Sequence, residues 1–347
     1  MSAHTTLGRT IQIIINPSAR SGRGQAILQD LLRADPQLQS ACVISRSPQH
    51  FCELLQAAQE TAPESEHTNV LGIAGGDGTV TLALQALRGL REGNGTAQRV
   101  PLCVLPTGSG NDFVHDVCGT RALRQALWLL RHGTPRWVDV GEAQAASGSA
   151  QPFCCVASVG LDEQALRVIH GSRLPRSMAL NVYAALRALW QHQPQTVSIE
   201  WPGGSFVGRI AFCAVTNTRS YGGGFRISPA ARLDDGKLDL CIVPAWPKTA
   251  LLRRFPRILR GTHGSLPGIV QAQVPWVRIT PRSPSKLPLC IDGELPSIDT
   301  PAELRVASTR LLVVAPPAAT QATTPWIAAA AATEPGSHAA PTRKEAA

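Results

Sequence analysis

Two glycine-rich stretches carry residues able to do phosphate chemistry. Gly75-Gly76-Asp77-Gly78-Thr79 closes the apolar run NVLGIA, and Pro106-Thr107-Gly108-Ser109-Gly110-Asn111-Asp112 closes the run VPLCVLP. Glycines lack a Cβ, so phosphate oxygens can come close to their backbone N–H groups. The pattern predicts a helix from near Thr79, whose N-terminus adds positive partial charge. Ser109 offers a hydroxyl, and Asn111 and Asp112 offer polar contacts. A tight strand–helix turn with Asp77 as N-cap accounts for GGDGT taken alone. Two such loops at the ends of neighbouring strands favour a phosphate site.

Other nucleotide signatures fail. There is no G-x-x-x-x-G-K-[ST]. After the first strand, Gly22-x-Gly24 has Ile27 where a dinucleotide fingerprint needs its third glycine, and the second strand ends in Ser45 instead of an acidic ribose ligand. The H-R-D and D-F-G of protein kinases are missing.

The elements that must position these loops alternate. TIQIII, ACVIS, NVLGIA and VPLCVLP read as strands, separated by helical QAILQDLLRA, HFCELLQAAQE and TLALQALRGLR. That order predicts an α/β domain with a parallel sheet over 9–140, its ligand at the carboxyl ends of the strands. Beyond about Val140 short strands dominate, predicting an antiparallel, sandwich-like β-rich domain over 141–315, whose last strand can return to the first domain. It holds a helix near Met178–Gln191 and a basic one near Thr249–Arg260, the latter interrupted by Pro256. Residues 316–347 are rich in Ala, Pro and Thr and read as a disordered tail.

The 347 residues suffice for two domains with real cores. No run approaches the roughly 20 apolar residues of a membrane span. Before Asn16 the apolar run is only Ile11 to Ile15, broken by Gln12, so no signal peptide and a cytoplasmic protein are expected. Nine scattered cysteines without a C-x-x-C pair read as reduced core thiols. Net charge is +9, and Ile242 to Ile291 holds no acid while carrying Lys248, Arg253, Arg254, Arg257, Arg260, Arg278, Arg282 and Lys286. Such a patch suits a polyanion, either nucleic acid or an anionic bilayer. Aromatics are only 5% and nucleic-acid-binding motifs are missing, so no nucleic acid is expected.

Seven collinear stretches resemble lipid kinases of the diacylglycerol-kinase catalytic-domain family, which includes sphingosine kinases and bacterial lipid kinases. They are INPSARSGRG (15–24), GGDGT (75–79), PTGSGNDF (106–113), VDVG (138–141), SVGLDEQ (158–164), GGGFRISPAARLDDGKLDL (222–240) and IDGE (291–294). The resemblance implies ATP in a cleft between the domains, bound by Asn16, Ser45, Gly75, Gly76, Asp77, Gly78, Thr79 and Ser109. Ser45 enters by matching SRSPQH to the family's T-x-x-P-x-H. Ser109 stands where the family usually has Thr. The resemblance makes Glu294 the general base toward the lipid hydroxyl, a role worth roughly 10²–10⁴-fold in rate. Positioning and charge neutralisation supply most of the rest.

Charge neutralisation calls for Mg²⁺, which prefers oxygen ligands. Asp77, Asp112 and Asp139 come from three strand ends that could converge on the phosphates, directly or through water. The resemblance implies a separate structural Mg²⁺ at the LDDGKLD turn, held by the Asp235 side chain and the carbonyls of Arg232 and Lys237. Asp234, Asp235 and Gly236 also suit an ordinary hairpin turn.

The expected acceptor is diacylglycerol, with a sphingoid base, ceramide or phosphatidylglycerol as alternatives. The basic stretch 248–286 is expected to touch anionic membrane from its inner face, and a homodimer is compatible with this reading. Leu180, Tyr183, Leu186, Leu189 and Trp190 fall at helical spacing and read as a core stripe, with a lipid contact as the alternative. An NAD kinase shares GGDGT, but IDGE and SPAARLDDGKLD speak against it. A non-enzymatic module binding anionic surfaces is the remote alternative.

Overall fold

The computed structural model describes residues 4–6, 9–22, 24–61, 69–94, 98–148, 150–174, 177–283, 286–296 and 298–317. All but two residues of the expected tail therefore lie outside the described residues.

The first half runs β1 (His4–Thr6), β2 (Arg9–Ile15), α1 (Ala19–Gly22), α2 (Gly24–Ala34), β3 (Cys42–Ile44), α3 (Pro48–Glu60), β4 (Asn69–Gly75), α4 (Asp77–Asn94), β5 (Leu102–Pro106), α5 (Asp112–Cys118), α6 (Leu123–His132) and β6 (Thr134–Val138). The second half runs β7 (Gly141–Ala145), β8 (Ala150–Phe153), β9 (Val156–Gly160), α7 (Leu161–His170), α8 (Met178–Gln191), β10 (Gln195–Trp201), β11 (Gly204–Thr216), β12 (Leu238–Pro244), α9 (Lys248–Leu259), β13 (Val270–Val274), β14 (Trp276–Ser283), β15 (Cys290–Ile291), β16 (Ala302–Val306) and β17 (Leu311–Ala315).

Strands β3, β2, β4, β5 and β17 pair in parallel, with β1 antiparallel on β2 and β6 antiparallel on β17. Their near-continuous apolar runs are buried, as a sheet covered on both faces requires. In register, Ile15 pairs with Ala74 and Gly75 with Pro106, so the three loops after β2, β4 and β5 leave the sheet at one level. The last strand does return to this sheet, lying between β5 and β6.

The second sheet is antiparallel. Its long strand β11 pairs with β10 over Gly204–Ile210 and with β9 over Phe212–Thr216, with an irregularity at Ala211 opposite β12. The first half of β11 is largely exposed and the second wholly buried, so one strand passes from the outer layer into the interior. Val197, Ile199, Cys213, Val215, Leu240, Val277, Ile279 and Leu304 form the sandwich core.

Several sequence expectations need correction. Helix α4 begins at Asp77 instead of Thr79, leaving Gly76 at its N-cap position. Helices α5, α6 and α7 add to the expected elements, α5 and α7 opening within the PTGSGNDF and SVGLDEQ stretches. PFCCVASVG is two strands, because the amides of Cys154, Cys155 and Val156 all turn to the Asp292 carboxylate. Helix α9 runs unbroken through Pro256, which is exposed. An interior proline costs about 3 kcal/mol. Leu251, Phe255 and Ile258 are buried on the opposite face, and each such side chain contributes about 1.5–3 kcal/mol. The α8 stripe divides: Leu180 and Leu189 are buried, Leu186 is half-buried, and Tyr183 and Trp190 face outward.

Candidate active site

The glycines of the two loops have separable reasons. A Cβ on Gly75 would lie 2.0 Å from Thr79 Oγ1, and one on Gly108 would lie 2.4 Å from the Cα of Gly76. Gly76 and Gly108 therefore let the two loops pack backbone to backbone, while Gly75 makes room for the Thr79 side chain. Gly78 differs: nothing lies within 4 Å of its Cβ position, and it is exposed in the first turn of α4. The amides of Thr79 and Val80 turn back on the Gly76 carbonyl. Those of Asp77 and Gly78 are left at the open, positive end of the helix, as the geometry of a helix start dictates. Space without a side chain and uncommitted amides coincide at Gly78.

Asp77 caps a helix, but not its own. Its carboxylate accepts the amides of Asp112 (3.2 Å) and Phe113 (3.0 Å), the first turn of α5. Asn111, at the N-cap position of α5, has φ +56° and spends its side chain on Gly108, accepting from its N–H and donating to its carbonyl. Asn tolerates this left-handed backbone. A Cβ on Gly110 would sit 2.9 Å from Asp77 Oδ2 and 3.4 Å from Asp112 Oδ2, so the two carboxylates flank Gly110. Burial, with the charge of Asp112, pushes the Asp77 carboxyl up to about 7.

Asp112 is fully buried and well partnered. It accepts from Arg121 Nη2 (2.7 Å), Ser220 Oγ (2.8 Å) and the Gly223 amide (2.6 Å). Two of these donors come from the loop between β11 and β12, so Asp112 ties the second domain to the first. Nothing local in PTGSGND signals partners more than 100 residues away.

Asp139, the third acid of the expected convergence, takes other partners. Its carboxylate pairs with Arg310 Nε (2.9 Å) and accepts the Gly236 amide (2.8 Å). It belongs with the Asp235 turn. Asp235 accepts the Lys237 amide at 3.1 Å, an Asx turn, and Arg232 lies 3.6 Å from Asp234. Burial, with the charge of Asp235, raises the nearby Asp239 carboxyl to about 6.

Asn16 and Thr79 meet: Asn16 Nδ2 donates to Thr79 Oγ1 at 2.9 Å, joining the end of β2 to the start of α4. Ser45 is buried, its hydroxyl donating to the Ile15 carbonyl at 3.2 Å, so it braces the sheet end beside Asn16. The SRSPQH stretch also has a local reason: Ser47 caps α3 by accepting the His50 amide, and Pro48 opens the helix. Ser109 is exposed on the second glycine loop.

Glu294 follows a two-residue turn in which Asp292 (φ +47°) and Gly293 (φ +83°) are both left-handed, closed by mutual bonds between Ile291 and Glu294. Its side chain is 60% exposed, with Oε2 3.7 Å from His170 Nε2 at the end of α7. The turn is fixed by a residue that sequence reasoning missed. Asp292 accepts the amides of Cys154 (2.7 Å), Cys155 (2.8 Å) and Val156 (2.9 Å) and the hydroxyl of Thr81 (2.6 Å). Thr81 is one helical turn beyond Asp77. The Asp-Gly pair signals a tight turn from sequence, but not these four donors. Cys154, Cys155 and Asp292 cluster tightly, yet burial drives the Cys154 thiol up to about 12 and keeps it protonated, which suits packing and not metal binding.

The fold and site define a lipid kinase, a phosphotransferase with an alcohol as acceptor. The chain belongs to the diacylglycerol kinase catalytic-domain family: residues 10–143 match the diacylglycerol kinase catalytic domain, and 155–315 match the YegS C-terminal NAD kinase beta sandwich-like domain. It is 29% identical over 257 residues to a protein named diacylglycerol kinase from Mycobacterium tuberculosis (strain ATCC 25618 / H37Rv), covering 74% of this chain and 79% of that one. It is 30% identical over 240 residues to a "Probable lipid kinase YegS-like" of Xanthomonas euvesicatoria pv. vesicatoria (strain 85-10), covering 68% of this chain and 74% of that one. A crystal structure described as a diacylglycerol kinase from Bacillus anthracis str. Sterne shares the fold, with TM-score 0.62 and 18% identity over 92% of this chain and 99% of the other.

Proposed function

We propose that the protein transfers the γ-phosphoryl group of ATP, with Mg²⁺, to the hydroxyl of diacylglycerol, giving phosphatidic acid. One observation carries the reading. The turn bearing Glu294 is clamped through Asp292 to Thr81, on the helix whose first residue is Asp77. An exposed carboxylate and a phosphate-accepting helix end are thereby held in one rigid unit. The name of the Mycobacterium tuberculosis relative supports diacylglycerol as the acceptor.

In this mechanism the open end of α4 at Gly78 receives phosphate oxygens, and the Asn16–Thr79 bond steadies that loop. Glu294 takes the proton of the lipid hydroxyl as the new O–P bond forms. Phosphoryl transfer leaves the protein mostly positioning and charge stabilisation to supply.

The residues suit Mg²⁺. Asp77 and Asp112 form an all-oxygen pair, and a hard divalent ion beside Asp77 would favour the charged carboxylate that burial and the charge of Asp112 oppose. When bound there it supplies neutralisation of phosphate charge. The Asp235 turn would offer a second all-oxygen set, the Asp235 carboxylate with the carbonyls of Arg232 and Lys237. No helix among the described residues is long and apolar enough to cross a membrane. The protein would work from the cytoplasm at the inner membrane face, with the basic stretch 248–286 toward anionic lipid.

The test is transfer of labelled phosphate from ATP to a total lipid extract supplied together with NAD, followed by identification of the product. Label in phosphatidic acid is expected, and its loss on omitting Mg²⁺. Label in water-soluble NADP with none in the organic phase would overturn the reading. Label in a sphingoid or phosphatidylglycerol product would replace the acceptor.

A further inference from the structure

Helix α8 leaves large apolar side chains in water. Leu174 is 67% exposed, Met178 39%, Tyr183 53% and Trp190 63%. These are four of the six large hydrophobic residues found exposed among the described residues, and they fall on one helix and the loop before it. Clustered exposure of this kind marks an interaction surface.

Charge says what covers it. Residues 164–199, which hold all of α8, contain no Asp or Glu, and neither do residues 242–291, which hold α9. Arg173 and Arg187 are exposed on the same segment, and Arg187 donates to the Tyr183 hydroxyl at 3.2 Å. The Lys248 ammonium, at the start of α9, donates to the Trp190 carbonyl and stands 6.0 Å from the centre of its ring. Arg254 stacks at 4.1 Å over Trp246. Aromatic rings ringed by cations, without an acid, match the boundary of an anionic bilayer, where Trp and Tyr settle at headgroup level.

The face also abuts the site. Asn181 Nδ2 donates to the Gly222 carbonyl at 2.6 Å, and the Gly223 amide donates to Asp112 beside Asp77. At the other side, His170 closes α7 next to Glu294, four residues before Leu174. His170 at the end of α7 and Asn181 on α8 therefore tie the two sides of this face to the Glu294 turn and to the Gly222–Gly223 loop.

We propose that the exposed face of α8 and its preceding loop, Leu174, Met178, Tyr183 and Trp190 with Arg173, Arg187 and Lys248, is the surface that seats on an anionic lipid bilayer. This moves the apolar part of membrane docking from the basic helix α9, whose Leu251, Phe255 and Ile258 are buried, to α8. The inference rests on the lipid-kinase reading for its purpose, but its test does not.

The experiment compares the full chain with the triple variant Leu174→Ser, Tyr183→Ser, Trp190→Ser by co-sedimentation with vesicles of phosphatidylcholine, alone or mixed with phosphatidylglycerol. The full chain should bind the mixed vesicles preferentially, and the variant at least about tenfold more weakly. Turnover with a short-chain diacylglycerol in free solution should be unchanged in the variant, while turnover on vesicle-embedded diacylglycerol falls. Unchanged vesicle binding by a folded variant overturns the proposal. So does a dimer, seen by light scattering, that the substitutions dissociate without altering vesicle binding, which would assign the face to a second copy. Wild-type protein that sediments as expected yet phosphorylates neither lipid would sink the kinase reading and leave the docking face standing.

Discussion

The Thr81 hydroxyl donates to Asp292 Oδ2 at 2.6 Å, bridging 211 residues of chain. It is the bond that joins the helix opened by Asp77 to the turn that carries Glu294. The Asp77 carbonyl also lies 3.2 Å from the same hydroxyl, but one proton serves one acceptor, and the shorter, charge-assisted bond to Asp292 takes it.

Removing this clamp should separate positioning from binding. In Asp292→Ala three backbone amides lose their acceptor, at about 1–3 kcal/mol for each buried group left unpaired. A clear fall in Tm is expected. Thr81→Val is milder, removing one donor. It should lower kcat while leaving the KM for ATP near wild type. A Thr81→Val enzyme with wild-type kcat would show that the turn holds its position without the bond.

Gly78 and Gly108 should respond oppositely to alanine. At Gly108 the new Cβ meets backbone, which cannot yield cheaply, so Gly108→Ala should destabilise the fold and part the two loops. At Gly78 the Cβ enters open space within a helix, where Ala is better than Gly by about 0.5–1 kcal/mol. Gly78→Ala should therefore be at least as stable as wild type by thermal melting, yet show a raised KM for ATP. Equal KM values in the two proteins would remove Gly78 from the phosphate site.

The Asp77 carboxyl gives a pH signature. It ionises at about 7 in the folded protein, against an ordinary value of 3.8. Between these values the folded chain holds a proton that the unfolded chain has released. Stability therefore falls as pH rises from about 4 to about 7, with no penalty below and a constant one above. Asp77→Asn cannot ionise, so its Tm should climb relative to wild type across that window, while phosphoryl transfer is abolished. Mg²⁺ with ATP should flatten the wild-type curve by favouring the charged form. Parallel Tm curves for the two proteins would contradict the assignment.

Glu294 should behave as a chemical and not a structural residue. Its side chain is mostly exposed, so Glu294→Gln should leave Tm within experimental error. If it is the base, kcat falls by roughly 10²–10⁴-fold with little change in the KM for ATP. Near wild-type turnover would reassign the proton to another group.

The alternation of strand and helix, the placement of the glycine loops after β4 and β5, and the tight turn at Asp292-Gly293 were all legible in the sequence. Each is a local matter: apolar period, backbone freedom at glycine, and turn chemistry act over a few residues. What each acid does was not legible, because carboxylates take their partners from distant chain. Asp77 caps α5, Asp112 ties Ser220 and Gly223, Asp139 takes the Gly236 amide, and Asp292 gathers four donors from two domains. The stripe on α8 shows the same limit for apolar residues. Its period set the helix, but only the neighbours packed around it decided that Leu180 and Leu189 face the core while Tyr183 and Trp190 face out. Periodicity specifies that a face is apolar. The tertiary arrangement decides what that face meets.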